Sequence, residues 1–106
     1  MIQEKVKIVI FVPETHADKV RQVMGDAGAG KIGNYSHCSF SSNGRGRFLP
    51  KDGATPTIGK IGTMEIVDEE RIEFVCEKSN LEKIISAMKE AHPYEEVAFD
   101  VYPILN

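Results

Sequence analysis

The feature that most constrains the fold is a run of β-branched residues near the start of the chain, from Lys5 to Val12. Alternate side chains of a strand point to opposite faces. One face of this run would carry Val6, Ile8, Ile10 and Val12, and the other would carry Val9 and Phe11. Because both faces are apolar, the run predicts a central strand that is buried on both sides.

Length and composition limit what kind of protein this is. A chain of 106 residues with 42% apolar and 27% charged content predicts one ordinary globular domain. A net charge of −3 argues against nucleic-acid binding, which normally needs a basic surface. No apolar run reaches membrane-spanning length, so no membrane contact is expected. Two cysteines without a signal-like start favour a soluble protein of the reducing cytoplasm.

The first half of the chain predicts one helix and one further strand. Thr15 is the expected N-cap of the first helix, and Gly28 is its expected C-terminal stop. The glycines that follow resemble a phosphate-binding loop, but they come after a helix instead of before one, so we interpret them as a helix stop and a turn. Residues 37–41 form a strand candidate. The segment at about 43–60, rich in Gly and Arg, predicts a long loop.

The second half predicts two strands, a helix and a last strand. Residues 61–67 and 72–77 are strand candidates, joined by a solvated acidic turn at 68–71. Asn80 is the expected N-cap of a second helix, whose apolar residues follow helical spacing. Pro93 should end that helix at about His92. A final strand then runs over residues 97–102.

The resulting order, β-α-β-(β)-β-α-β, predicts an α+β, ferredoxin-like antiparallel sheet with two helices on one face. The opposite face would keep several apolar side chains, and no third element remains to cover them. They are Val9, Phe11, Val75, Ala98 and Tyr102. An uncovered, partly apolar sheet face indicates a subunit interface, so we expect a homo-oligomer.

Two sets of residues could bind a ligand. Arg45 and Arg47 lie in the Gly-rich segment and could close over an anion, although a flexible solvated loop is the simpler explanation, because arginine needs rigid placement to select phosphate. His92 and Glu95 flank Pro93 and could hold a divalent metal ion, with His37 as a third ligand. The structural alternative is that Pro93 and Tyr94 shape a turn while the carboxylates face solvent or a neighbouring subunit.

Four segments of the chain resemble a known family in sequence and in order. They are residues 33–41 (GNYSHCSFS), 46–50 (GRFLP), 58–62 (IGKIG) and 92–101 (HPYEEVAFDV). Together they resemble the middle domain of the Nif-three-like (YqfO-type) proteins, and HPYE is also similar to a motif of CutA-type divalent-cation-tolerance proteins. This resemblance implies a PII/CutA-like version of the ferredoxin-like fold, which typically assembles as trimers. The parts of the longer relatives that carry a two-metal site have no counterpart here, so no metal ligand or hydrolase activity is carried over.

Two functions remain open at this stage. The first is a stand-alone, oligomeric and non-enzymatic PII/CutA-like module that binds a small molecule or a protein. In PII-like trimers ligands typically sit between subunits near the long loop, which would bring Arg45, Arg47, His92 and Glu95 together. The second is a divalent-metal-binding protein, or a small metal-dependent enzyme, that uses His37, His92 and Glu95.

Overall fold

The computed structural model describes residues 4–105, which form four strands and two α-helices in the order β-α-β-β-α-β. The elements are β1 (Lys5–Pro13), α1 (Glu14–Asp26), β2 (Phe40–Phe48), β3 (Glu65–Glu77), α2 (Leu81–Ala91) and β4 (Phe99–Pro103). A short 3₁₀ helix, Lys78–Asn80, leads from β3 into α2. No helix in this part of the chain is long and apolar enough to cross a membrane.

The four strands form one antiparallel sheet with the order β2-β3-β1-β4. β1 pairs with β3 along its whole length and with β4 on its other side. The prediction of a central strand from residue 5 onward is therefore confirmed, and so is the ferredoxin-like α+β fold.

The core lies between the sheet and the two helices. The sheet contributes Val6, Ile8, Ile10, Val12, Ile72, Phe74 and Cys76, and the helices contribute Ala17, Val20, Met24, Ile84, Met88 and Ala91. Complete burial of an aliphatic or aromatic side chain of this size stabilises a fold by about 1.5–3 kcal/mol. Cys76 packs in this core as a small apolar residue, and its burial raises the pKa of its thiol.

The backbone conformation at the end of α1 requires a glycine at position 28. Gly28 has φ 115°, a conformation that a residue without a Cβ adopts at little cost. Its N–H donates to the carbonyl oxygen of Gly25 at 3.0 Å, and the N–H of Ala29 donates to the carbonyl oxygen of Met24, also at 3.0 Å. This pair of bonds is a Schellman motif, which ends the helix as predicted. The expected N-cap is wrong: Pro13 precedes the helix, and Thr15 lies in its first turn.

The predicted acidic turn at residues 68–71 does not exist, because β3 continues through it. Asp68 pairs with Arg45 of β2, and Glu70 pairs with Val12 of β1. Charged residues fit in this strand because their side chains have hydrogen-bond partners. Arg21 of α1 donates to Glu70, and Glu69 points to the opposite face of the sheet, where it accepts from Tyr94. The two predicted strands of the second half are therefore one.

The boundaries of β2 also differ from those predicted. The strand begins at Phe40 and runs to Phe48, so the first part of the Gly/Arg-rich segment is extended sheet and not loop. His37 precedes the strand with φ 61°, a left-handed conformation that excludes it from regular pairing. The remaining connection, residues 49–64, is the long loop between β2 and β3.

The sheet face opposite the helices carries a mixture of apolar and charged side chains. Val9 is completely buried there, flanked by an ion pair in which Lys7 Nζ lies 3.2 Å from Glu73 Oε1. Arg71 also pairs with Glu73, and its guanidinium lies 5.8 Å from the centre of the Phe11 ring. Tyr102 remains exposed. The helix-free face thus keeps the mixed apolar and charged character that the strand pattern predicts.

Candidate functional site

A cavity of about 430 Å³ opens on the helix-free side of the sheet, where the loop 49–64 meets the turn 92–98 that leads into β4. Its walls are mainly apolar and come from the end of β1, the end of β2, β3 at Glu69, this loop and this turn. The apolar lining residues are Phe11, Phe48, Leu49, Pro50, Ala54, Pro56, Ile58 and Ala98. Charged groups interrupt them at Arg47, Lys51, Glu69, Glu95 and Glu96.

His92 fixes the turn to the central strand. Its Nε2–H donates to the carbonyl oxygen of Phe11 at 2.7 Å, and its Nδ1 accepts the N–H of Tyr94 at 3.2 Å. Both ring nitrogens are therefore used by the backbone, and the pattern fits a neutral imidazole with its proton on Nε2. Burial lowers the pKa of His92, against the opposite effects of the Phe11 carbonyl and Glu69.

Tyr94 joins the same turn to β3. Its hydroxyl donates to Glu69 Oε2 at 3.0 Å, and its ring contacts that of Phe48 edge-on, with the ring centres 5.6 Å apart. On the other side the Tyr94 ring lies 5.0 Å from that of His92. Burial and the neighbouring Glu69 carboxylate raise the pKa of Tyr94, so its hydroxyl stays a hydrogen-bond donor throughout the neutral range.

Glu69 is the most deeply buried carboxylate at the cavity, with 8% of its surface exposed. Its Oε1 lies directly over Gly46 of β2, where any Cβ would collide with it. Within residues 4–105, the Tyr94 hydroxyl is the one protein group that donates a hydrogen bond to Glu69, and no Lys, Arg or His forms an ion pair with it. A carboxylate can accept about four hydrogen bonds, so Glu69 could accept further ones besides that of Tyr94.

The outer wall of the cavity is held in place by hydrogen bonds to the turn. The N–H and hydroxyl of Thr55 donate to the two carboxylate oxygens of Glu95, at 2.8 and 2.6 Å. The Thr57 hydroxyl donates to the carbonyl oxygen of Pro93 at 2.7 Å. These bonds lower the pKa of Glu95. The loop 49–64 is therefore anchored to the turn at two points, and hydrogen bonds within the chain fix the outer wall of the cavity.

The structure brings some of the predicted ligand-binding residues together and not others. Arg47 and Glu95 line the cavity, and His92 lies beneath its Tyr94 wall. Arg45 lies opposite Asp68 in the β2–β3 pairing and is not part of the lining.

The predicted metal ligands do not converge. His37 pairs with Asp26 at the C-terminal end of α1, with its Nε2 2.9 Å from Asp26 Oδ1. His92 contacts the end of β1, next to the start of α1, and a helix of 13 residues is about 20 Å long. Across residues 4–105, no group of three or more His, Cys, Asp or Glu side chains is placed to hold a metal ion.

Three residues of the site were missed or misjudged from the sequence: Glu69, Tyr94 and Thr55. The acidic run predicts a solvated turn at Glu69. The signal against it is that Ile66 and Ile72 are an even number of residues apart, the spacing of side chains on one face of a continuous strand. Tyr94 was given only a role in the turn. Nothing in the sequence around Thr55 indicates that it binds a residue 40 positions away.

Known proteins match this chain strongly over part of their length. No family model matches it. A protein named GTP cyclohydrolase 1 type 2 homolog from Halalkalibacterium halodurans is 51% identical over 100 residues, which are 94% of this chain and 27% of that protein. A Bacillus cereus protein related to NIF3 is 55% identical with a TM-score of 0.85, over 98% of this chain and 26% of that one. The chain thus spans about a quarter of these relatives.

More distant structures share the fold alone. The divalent cation tolerance protein CutA of Archaeoglobus fulgidus is 15% identical with a TM-score of 0.67, over 96% of this chain and 85% of that one. The GlnK–ATP complex of B. subtilis is 19% identical with a TM-score of 0.65, over 98% of this chain and 84% of that one. The predicted resemblance to the PII/CutA-like domain of Nif-three-like proteins is confirmed.

The buried His92 predicts a specific pH dependence of stability. Because its pKa is lower in the folded state than in the unfolded chain, the unfolded state takes up the proton first as the pH falls. The stability that His92 contributes is complete above its unfolded pKa of about 6.5 and decreases below it, by at most about 1.4 kcal/mol per pH unit. Urea unfolding should show the advantage of the wild type over His92→Gln shrinking below about pH 6.5. An advantage that grows on acidification would contradict this assignment.

Proposed function

Starting from the homology of this chain to a PII/CutA-like segment of Nif-three-like proteins, we propose that it is an oligomeric, non-enzymatic module that binds a small ligand and has a regulatory role. The observation that carries the proposal is the cavity of about 430 Å³ between the loop 49–64 and the turn 92–98. Arg47 and Glu95, both candidates from the sequence, line this cavity.

The form of the cavity supports ligand binding. Small-molecule sites are typically concave, mainly apolar, and between about 300 and 1,000 Å³, with a few polar groups that orient the ligand. This cavity has that size and composition, and the Thr55–Glu95 and Thr57–Pro93 hydrogen bonds hold its outer wall in place. A wall that is already ordered lowers the entropy lost when a ligand binds.

Exposed apolar side chains support self-association. Beyond the last pairing with β1, residues 65–68 of β3 pair only with β2, so the two strands project as a hairpin. Large apolar side chains are exposed on or next to this hairpin: Leu49, Ile61, Met64 and Ile66. Phe40 is exposed at the other end of β2. Tyr102 is exposed on the helix-free face. We propose a homo-oligomer, with a trimer favoured, in which copies cover these surfaces.

The cysteines and the net charge support a proposal about the cellular compartment and the class of partner. Cys38 and Cys76 are both free thiols, as expected in a reducing compartment, and we place the protein in the cytoplasm. The net negative charge favours a small molecule or another protein as partner over a nucleic acid.

A metal-binding function using His37, His92 and Glu95 has less support. His37 and His92 lie at opposite ends of α1, and both nitrogens of His92 are bound to the backbone. A metal ion held by these residues would therefore have to lie between subunits and break one of the His92 hydrogen bonds.

Ligand binding at the cavity is tested by thermal melting with separate additions of nucleosides, nucleotides and divalent ions. We expect at least one nucleoside or nucleotide to raise the Tm of the wild type. Ala98→Trp should abolish that shift, because the exposed Ala98 lines the cavity and an indole would fill it. Ser86→Trp, at an exposed position on α2, is the matched control and should retain the shift.

Each contrary result of this melting experiment has a definite meaning. A shift that persists in Ala98→Trp would place the ligand elsewhere and contradict the proposed site. Stabilisation by divalent ions alone, lost in both His37→Ala and His92→Ala, would favour the metal-binding function instead. No shift with any compound would contradict the ligand-binding function.

Self-association is tested by light scattering at micromolar protein concentration. We expect a mass of several chains, three being favoured, because the exposed apolar hairpin and the helix-free face would be covered only in an assembly. A single species with the mass of one chain would refute the oligomer.

A further inference from the structure

A second concave site lies at the C-terminal end of α1, away from the cavity described above. It is a recess of about 330 Å³. Gly25 and Gly28 form part of its floor, and Lys31, Tyr35 and Ser36 of the following loop also line it. The recess is open to solvent, so a small molecule can reach the Ser36 hydroxyl.

Three side chains at this recess form a chain of hydrogen bonds. Ser36 Oγ lies 2.9 Å from His37 Nδ1, and His37 Nε2 lies 2.9 Å from Asp26 Oδ1. A carboxylate only accepts hydrogen bonds, so the Asp26 contact places a proton on Nε2. In the neutral ring Nδ1 then accepts the hydrogen bond of the Ser36 hydroxyl. A nucleophile, a base and a carboxylate that orients the base are the parts of a nucleophilic site.

Asp26 is itself held in place for this role. The side-chain amide of Gln22, one turn earlier in α1, donates to Asp26 Oδ1 at 2.9 Å. The hydrogen bonds from His37 and Gln22 lower the pKa of Asp26, so its carboxylate is ionised throughout the neutral range. The orientation of the His37 ring therefore does not depend on a group that titrates near pH 7.

The backbone holds His37 in a conformation that is uncommon for a residue with a Cβ. Its φ is 61°, in the left-handed region. The ring lies directly over Gly25, where any Cβ would collide with it. The N–H of the next residue, Cys38, donates to the carbonyl oxygen of Gly30 at 3.0 Å and fixes the chain beyond the ring. Strained residues that their surroundings hold in this way occur preferentially at functional sites.

We propose that Ser36 is an activated nucleophile that accepts an acyl group from an activated carboxylic ester, with His37 as the base and Asp26 as the positioning residue. The Ser36 Oγ forms a bond to the carbonyl carbon while its proton passes to His37 Nδ1. The bond from that carbon to the leaving oxygen breaks, and the leaving oxygen takes the electron pair. The product is an O-acylserine, which is a covalent modification of the module and is separate from ligand binding at the cavity.

The test uses p-nitrophenyl acetate, whose cleavage releases coloured p-nitrophenolate. Peptide mass spectrometry after an acid quench should locate an acetyl group on Ser36. The release should be at least about ten-fold faster than in Ser36→Ala, less than the roughly 10²–10⁴ that a general base gives in an enclosed site, because all three side chains are exposed. Ser42→Ala, at an exposed position on β2, is the matched control and should keep the wild-type rate.

Variants of the other two residues separate activation from folding. His37→Asn should fold, because asparagine adopts the left-handed conformation readily, but its amide cannot take the proton, so the rate should fall to that of Ser36→Ala. In Asp26→Ala the rate should also fall. Nitrogen NMR of the His37 ring should show the proton on Nε2 in the wild type and a loss of that preference in Asp26→Ala. Circular dichroism and thermal melting establish that each variant is folded.

Four results would overturn the proposal. Release at the wild-type rate in Ser36→Ala would mean that Ser36 is not the nucleophile. An acetyl group found on Lys31 or on the His37 ring instead would assign the reaction to that side chain. An unchanged rate in folded His37→Asn would leave Ser36 without its base. A neutral wild-type ring with its proton on Nδ1 would leave no acceptor for the Ser36 proton.

Discussion

The hydrogen bond between the Tyr94 hydroxyl and the Glu69 carboxylate is the contact on which the site depends. It links a residue in the middle of β3 to the turn that leads into β4, across 25 positions of sequence. Glu69 can occupy its buried position because Gly46 on the neighbouring strand has no side chain. Tyr94 can reach it because His92 holds the start of the turn on the end of β1.

The order of these contacts explains what holds the walls of the cavity in place. The central strand fixes His92, the His92 ring orients Tyr94, and Tyr94 both contacts Phe48 and binds Glu69. The loop 49–64 then attaches to the same turn through Thr55 and Thr57. The turn is therefore a fixed support, and the longest irregular segment of the fold takes its position from it.

The sequence predicts most of the fold and only part of the site, for physical reasons that differ. The alternation of β1, the helical spacing of α2 and the stop at Gly28 are local signals, and each was confirmed. The prediction for the acidic stretch around Glu69 is wrong because a run of charged residues indicates a solvent-exposed segment unless the residues that pair with it are known. Those partners, Tyr94 and Arg21, are distant in sequence, so only the folded chain reveals them.

A double-mutant cycle between Glu69 and Tyr94 tests this account most directly. Glu69→Leu and Tyr94→Phe, alone and combined, would be compared by their free energies of unfolding in urea. If the hydrogen bond holds the turn to the sheet, the two losses should be non-additive, with a coupling energy of at least about 1 kcal/mol. Losses that add to within about 0.5 kcal/mol would show that the two residues act independently, and would contradict the account.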